Sequence, residues 1–360
     1  MKDNTGTDYT LKQNDSRKRN AFSLMRSLSQ HYAAKYPAWG QFRKNKPALF
    51  GVVLVLAIGL VALFAPFLAG DVPIVMKKDG VTYWLPNIIS YETLARENMY
   101  ANFDRWEPAE NEFALRPLVP HGPLRQDLRN NLSPPSREHL LGTDDRGRDV
   151  LSRIIWGSRI SMSVGFIAVG IAVAIGIVIG ALAGFYGGVV DTIILRIIEI
   201  WICIPAFFLI ITVMAFLEPS IMNIMIVIGL TGWPGIARLV RGEFLKQKQQ
   251  EYAIAARASG LNDKHIIFRH LLPNSLSPVF VSATFGIAGA ILTESGLSFL
   301  GFGVPPPTAS WGEILKQSQS YVDFAWWLVT FPGIAIFITV VSFNLVGDGL
   351  RDALDPRLRQ

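Results

Sequence analysis

Cysteine and charge are both scarce in this sequence. Cys203 is the only cysteine among 360 residues, which excludes an intrachain disulfide. Charged residues make up 17% of the chain, whereas a soluble domain carries roughly 25%. Hydrophobic residues make up 50%, and the mean hydropathy is +0.32. This composition is typical of a protein embedded in a membrane.

Several chemical motifs are absent as well. The sequence contains no G-x-x-x-x-G-K-[ST] phosphate loop, so the chain does not bind ATP by that device. It shows no nucleophile, base and orienting group in a recognisable arrangement, and no metal-ligand spacing. We therefore predict no catalytic residues, no cofactor and no metal, and an intramembrane enzyme is the weaker hypothesis.

Positive charge is concentrated at the N-terminus. Residues 1–47 contain ten Lys or Arg and three Asp, so this segment carries +7 against +6 for the whole chain. An excess of Lys and Arg beside a first membrane helix marks the cytoplasmic side, whereas a nucleic-acid surface needs a basic patch on a folded domain. We predict a basic cytoplasmic tail and no nucleic-acid partner.

Long apolar runs dominate the rest of the chain. About 20 residues at 1.5 Å each span the roughly 30 Å hydrocarbon core of a bilayer. A cleaved signal peptide is the alternative for the first run, but its length and the long tail before it argue against cleavage. Six runs predict an all-α membrane protein with six transmembrane helices and both termini inside: 48–69, 161–184, 192–216, 220–240, 277–301 and 324–346.

A long polar loop, residues 70–158, follows the first helix and is predicted to lie outside. Asp79-Gly80 between two β-prone runs predicts a hairpin there. Residues 140–161 alternate apolar and charged positions at helical spacing, which predicts an amphipathic helix on the outer membrane surface. Asp144, Asp145 and Asp149 suggest either a calcium site or salt bridges to the neighbouring Arg residues, and the salt bridges are favoured.

A polar island, residues 251–274, interrupts the apolar runs and predicts two short helices joined by a sharp turn. Gly260 follows the first helix, where a left-handed cap residue is cheapest. Asn262 is placed to cap the second helix. That helix is predicted to stop near Leu272, because Pro273 disfavours helical geometry in the residue before it.

This island resembles the signature loop of ABC-importer permeases, in the order Ala255-Ala256, three residues, Gly260 and then Leu272-Pro273. In that family the loop is cytoplasmic and docks into an ATPase subunit. Two positions depart from the pattern, namely Ile254 for an acidic residue and His270 for an isoleucine. The alternatives are an ordinary cytoplasmic helical hairpin and a DNA-reading helix-turn-helix. The resemblance implies these coupling residues: Glu251, Ala255, Ala256, Gly260, His270, Leu272 and Pro273.

The resemblance extends over residues 140–357 and the first helix, with similar strings at 140–161 and 294–303. It implies the type I importer permease fold of the peptide/nickel branch (oligopeptide and dipeptide permease C), closest to the microcin C-type subgroup with its long extracytoplasmic insertion. The implied permease core is 159–348, with a docking loop at 243–275 and a cytoplasmic C-terminus at 349–360.

The resemblance also implies the partners and the location. They are a second permease subunit, two ATP-binding cassette subunits that bind the ATP, an extracytoplasmic solute-binding protein, and the lipid of a bacterial cytoplasmic membrane. A proton-coupled secondary transporter is the alternative function. It would need several acidic residues at mid-membrane and inverted repeats, neither of which is evident.

Few charges lie within the apolar runs. Arg196 and Glu199 are three positions apart in the third run, and Glu294 is near the end of the fifth. A charge at mid-span costs about 2.5–3.5 kcal/mol, so these groups should face protein or water. Glu199 and Glu294 are candidates for a translocation path. The alternatives are an Arg196–Glu199 pair within the core and a Glu294 that caps or cross-links helices.

Overall fold

The computed structural model describes residues 37–103 and 105–354. The predicted N-terminal tail up to residue 36 and the last six residues of the predicted C-terminus lie outside the described residues. The first elements are three helices and three strands with one further short helix: α1 (Pro37–Phe42), α2 (Lys46–Leu63), α3 (Ala65–Leu68), β1 (Val75–Lys78), β2 (Val81–Trp84), α4 (Glu92–Arg96) and β3 (Phe113–Leu115).

The second part of the chain is helical. Its elements are α5 (Val150–Tyr186), α6 (Gly188–Cys203), α7 (Ala206–Phe216), α8 (Ile221–Gln247), α9 (Glu251–Ala258), α10 (Asp263–His265), a π-helix (Ile266–Leu271), α11 (Leu272–Phe299), α12 (Trp311–Ser318) and α13 (Trp327–Leu354). Within the described ranges, five helices are long and apolar enough to cross a membrane, and the bent pair α6 and α7 makes a sixth if it counts as one span.

The segment between α3 and α5 (residues 70–149, called the interhelical segment) shows that the fold is not all-α. Its strands form one antiparallel sheet in the order β2-β1-β3. The predicted hairpin is confirmed, since Lys78 pairs with Val81 and both Asp79 and Gly80 have positive φ. The segment has its own small core, made by Met76, Leu94, Met99 and Phe103. Successive side chains of a strand point to opposite faces, so one face of a short sheet can cover such a core without any helix.

The helix predicted at 140–161 is confirmed from Val150 onward and is wrong for residues 140–149. Residues 141–149 form turns, and α5 begins at Val150 and continues without interruption to Tyr186. The Asp149 side chain caps α5 by accepting from Ser152 N at 2.7 Å. Four of the charged residues that made this stretch look amphipathic are buried instead of facing water, namely Asp144, Arg148, Asp149 and Arg153.

The fourth run forms one uninterrupted helix, although Gly232-Trp233-Pro234-Gly235 within it contains three residues that disfavour helix. Helix α8 passes through Pro234, which is buried inside the helix. A proline removes only one hydrogen-bond donor, and packing against neighbouring helices makes this tolerable in membrane helices. A break lies in the third run at Ile204-Pro205, where α6 and α7 meet at an angle of 80°.

Helices α5 and α8 pack closely along a face of α5 that carries glycine at every fourth position, namely Gly176, Gly180 and Gly184. A Cβ added at Gly176 would lie 2.6 Å from Ile236 Cβ, and one at Gly184 would lie 2.6 Å from Phe244 Cβ. No real side chain fits at such distances. The glycine spacing therefore lets the two helix backbones approach each other closely.

Candidate functional site

The first half of the polar island folds as α9 and ends in a Schellman motif. Gly260 has φ +76°, and its N–H donates to Arg257 O at 3.0 Å. Leu261 N donates to Ala256 O at 3.3 Å. These two bonds satisfy carbonyls that the helix end leaves free, and they require a left-handed residue at the turn. The prediction of a left-handed cap at Gly260 is confirmed.

The second half begins as predicted but does not end where predicted. Asn262 caps α10 by accepting from His265 N at 2.8 Å. The helical path then continues through the π-helix into α11, so the predicted stop near Leu272 is wrong. Leu272 N donates to Ile267 O, five residues back. Pro273 is the second residue of α11, and this wider turn, together with the absence of its N–H, lets the chain accommodate it.

One face of this hairpin packs against the rest of the chain, and the other face is exposed. Ala253 and Ala256 are buried on α9, and Ile266 and Leu271 are buried below them. On the outer face Ile254 is 58% exposed and Phe268 is 67% exposed. Among the predicted coupling residues, Ala256 is buried, His270 and Leu272 are half-buried, and the others are exposed: Glu251, Ala255, Gly260 and Pro273. The small exposed residues and the apolar groups together make a surface suited to a protein partner.

The base of the hairpin is attached to the end of α5 through Phe185. The Arg257 guanidinium lies 5.5 Å from the Phe185 ring centroid, and Lys248 Nζ lies 5.7 Å from it. Lys248 also donates to Phe185 O at 2.5 Å. A cavity of about 410 Å³ opens beside these groups and is bounded by α9 and the π-helix. Motion of the hairpin would therefore be felt directly by α5.

Other groups near the hairpin were missed from the sequence. Arg241 on α8 pairs with Asp191 on α6 through two hydrogen bonds, 50 positions away. Tyr252 donates to Gln247 Oε1 at 2.8 Å, and burial raises the pKa of its phenol. No local signal identifies such partners, because they lie on different helices or depend on the turn between them.

The charges within the apolar runs have different environments. Arg196 donates to Glu199 at 2.7 Å, and both side chains are largely exposed, so this pair does not hold the core of the chain. Glu294 is fully buried, and Ser298 and Ser310 each donate to its carboxylate at 2.8 Å. Glu294 thus joins α11 to the N-cap of α12. The translocation role of both glutamates stays a prediction.

A buried ion cluster joins the start of α5 to α12. Arg148 Nε donates to Asp144 Oδ2 at 2.7 Å, and Arg153 pairs with Glu313. The predicted salt bridges are confirmed for Asp144 and Asp145, both with Arg148. Asp149 instead caps α5 and contacts His139. Burial raises the pKa of the Glu313 carboxyl, and the Arg153 charge opposes that effect.

The comparisons with known proteins agree with this arrangement. Residues 176–360 match the family described as binding-protein-dependent transport system inner membrane component. Residues 37–78 match the N-terminal transmembrane domain of oligopeptide transport permease C. The chain belongs to this permease family. It is therefore a multi-pass inner-membrane permease of the ABC-importer type, and the alternative of a proton-coupled secondary transporter is wrong.

Relatives are similar over nearly the whole chain. The dipeptide transport system permease protein DppC of Alkalihalophilus pseudofirmus is 36% identical, over 89% of this chain and 90% of the relative. DppC of Escherichia coli K12 is 37% identical, over 89% and 93%. A solved structure of the MetNI methionine ABC transporter is 19% identical over 57% of this chain and 98% of its own, with a TM-score of 0.48. The two DppC relatives are described as permease proteins of dipeptide transport systems.

Proposed function

We propose that this permease imports peptides or peptide-like solutes and forms half of the translocation path. The observation that carries this proposal is the similarity of nearly the whole chain to dipeptide permeases. By analogy, a second permease subunit, two ATP-binding cassette subunits and a solute-binding protein complete the importer. The finer assignment to the microcin C-type subgroup stays a prediction.

The hairpin at residues 251–274 is the proposed docking site for an ATPase subunit. The exposed Ile254 and Phe268 side chains would lie in the contact, and the Gly260 turn would set the angle between its two halves. The contacts of Arg257 and Lys248 with Phe185 would pass a movement of the hairpin to α5. Closure of the ATPases would then change the arrangement of the membrane helices.

The proposed orientation follows from this docking site. An ATPase docks in the cytoplasm, so the hairpin, the basic tail and the C-terminus share that side. The interhelical segment, residues 70–149, then lies outside as an insertion after the first helix. Its aromatic core, which includes Tyr83, Tyr91 and Trp106, supports a folded platform on which a solute-binding protein docks.

Disulfide cross-linking tests the docking site. Cysteine is placed at Ile254 in a Cys203→Ser background, and a cysteine is placed in the docking cleft of the ATPase subunit. We expect a cross-linked product for Ile254→Cys and none for the matched control Ile266→Cys, which is buried in the same hairpin. Uptake of a labelled dipeptide into proteoliposomes tests the solute class, and it should require ATP and persist without a proton gradient. Equal cross-linking of both cysteines would contradict the docking face.

A further inference from the structure

Two imidazoles and a carboxylate meet where the interhelical segment joins α5. They belong to His121, His139 and Asp149, and one ligand atom from each lies within 4.8 Å of the others. The His121 and His139 rings are 4.6 Å apart between centroids. His139 and Asp149 are both buried, with 6% and 2% exposure. None of these residues takes part in the site described above.

The three groups are held in place by other hydrogen bonds. Asp149 Oδ1 accepts from Ser152 N, which leaves Oδ2 to face His139 Nδ1 at 2.9 Å. His121 Nε2 lies 3.2 Å from Glu138 O. When Nε2 carries the proton and donates to that carbonyl, Nδ1 keeps a free lone pair. A backbone carbonyl that orients an imidazole in this way is the usual outer partner of a metal-binding histidine.

Space and charge at the cluster suit a small cation. A cavity of about 20 Å³ lies among the three groups, and about 10–15 Å³ is enough to hold one water. Asp127, Glu138 and Arg125 also line it. Together with Asp149 they give three carboxylates against one guanidinium, and Arg125 approaches the Asp71 carboxylate at 4.0 Å. Acidic residues therefore outnumber Lys and Arg in the lining of this cavity.

We propose that His121, His139 and Asp149 bind a zinc-type divalent cation. Zinc takes imidazole nitrogen and carboxylate oxygen at about 2.0–2.2 Å in a tetrahedron, which separates the ligand atoms by roughly 3.3–3.6 Å. The ion would replace the 2.9 Å hydrogen bond between His139 and Asp149, and the ligand atoms, now within 4.8 Å of one another, would adjust to that spacing. Calcium and magnesium are disfavoured, because they prefer oxygen ligands throughout.

The metal would join His121 to His139 and Asp149. Asp149 is the last residue of the interhelical segment and the N-cap of α5. A bound ion would fix this segment to the first turn of the membrane core. Binding to the folded chain alone would raise its thermal stability as zinc is added. The site has three protein ligands, so water would take the fourth position.

Metal analysis of the purified full chain tests the proposal. The chain carries a tag without histidine, is stripped with EDTA, and is dialysed against ZnCl₂ before mass-spectrometric metal counting. We expect about one zinc per chain for wild type. His121→Gln should weaken zinc binding by more than roughly 100-fold, because losing a residue that merely orients a ligand costs up to about that much. His121→Cys should retain zinc, because a thiolate is also a ligand. His265→Gln is the matched control, since His265 lies on the hairpin.

The outcomes separate this site from the alternatives. Zinc uptake that survives in His121→Gln, or that disappears in His265→Gln, overturns the proposal. EDTA should lower the melting temperature of wild type and leave that of His121→Gln unchanged. If His121→Gln fails to fold, cobalt added to wild type is the second measurement. It should give the intense visible bands of a tetrahedral site, and their absence overturns the proposal.

Discussion

Arg241 holds the carboxylate of Asp191 in a two-point contact, with Nε–Oδ1 at 2.5 Å and Nη2–Oδ2 at 2.6 Å. This contact joins α8 to α6. Both side chains are partly shielded, with 26% and 16% exposure. Two parallel hydrogen bonds fix orientation as well as distance, so this pair sets how α6 lies on α8.

Asp191→Asn should lower stability, because it removes a charge-assisted contact and leaves Arg241 without its carboxylate. Hydrogen bonds to charged groups contribute about 1.5–3 kcal/mol. Because this pair is partly exposed, we expect the free energy of unfolding to fall by about 1.5 kcal/mol, the lower end of that range. Thermal unfolding of the detergent-solubilised chain measures it. Arg196→Gln is the control, because its pair is exposed and should change stability by less than about 0.5 kcal/mol. Equal effects of the two substitutions would contradict this assignment.

Gly260→Val should uncouple transport while the chain still inserts into the membrane. A β-branched residue at φ +76° costs about 1–2 kcal/mol. No heavy atom lies within 4 Å of a Cβ added at this position, so only the backbone conformation is at stake. Gly260→Asn should retain most activity, since Asn visits this region. Stimulated ATP hydrolysis and uptake are the readouts, and wild-type uptake by the valine variant would remove the hairpin from the mechanism.

Gly180→Ala should destabilise the contact between α5 and α8. The added Cβ would lie 2.8 Å from Val240 Cβ, so the helices must separate. Overpacking of this kind costs about 1–3 kcal/mol. Gly170→Ala on the same helix meets nothing within 4 Å and should be neutral or slightly stabilising. Melting temperatures of both variants decide the matter, and a shared loss would indicate a general intolerance of α5.

Glu294→Gln separates a structural role from a role in translocation. Glutamine keeps acceptor capacity for Ser298 and Ser310, so stability should fall little, whereas alanine strands both hydroxyls at about 1–3 kcal/mol. If Glu294 belongs to the path, the glutamine variant should lose uptake at normal stability and normal ATP hydrolysis. Normal uptake by Glu294→Gln would show that its charge has no part in translocation.

The orientation can be tested with single cysteines in the Cys203→Ser background. Ser90 and Gln249 are both exposed in the chain, so accessibility depends on the side of the membrane. An impermeant thiol reagent added outside intact cells should label Ser90→Cys and leave Gln249→Cys unlabelled. Permeabilised cells should label both, which controls for reactivity. Labelling of Gln249→Cys in intact cells would invert the proposed topology.

Local patterns in the sequence determined the parts of this protein that depend on neighbouring residues. Apolar runs predicted where the long helices lie, Asp79-Gly80 predicted a hairpin, and Gly260 predicted a left-handed helix cap. Each prediction rests on backbone conformation or on burial over a few consecutive residues. The order of residues in the polar island also carried the resemblance to the permease family, which the comparisons then confirmed.

Only the tertiary structure decided which distant groups meet. Pro234 and Pro273 read as helix breakers, yet packing and a π-turn keep both within helices. Charged residues that suggested a surface helix instead form buried ion pairs at the start of α5 and with α12, as Arg153 does with Glu313. Residues such as Asp191 and Arg241, or His121 and Asp149, lie far apart in sequence. Their contacts arise from how the helices and the interhelical segment pack, and no local periodicity encodes that.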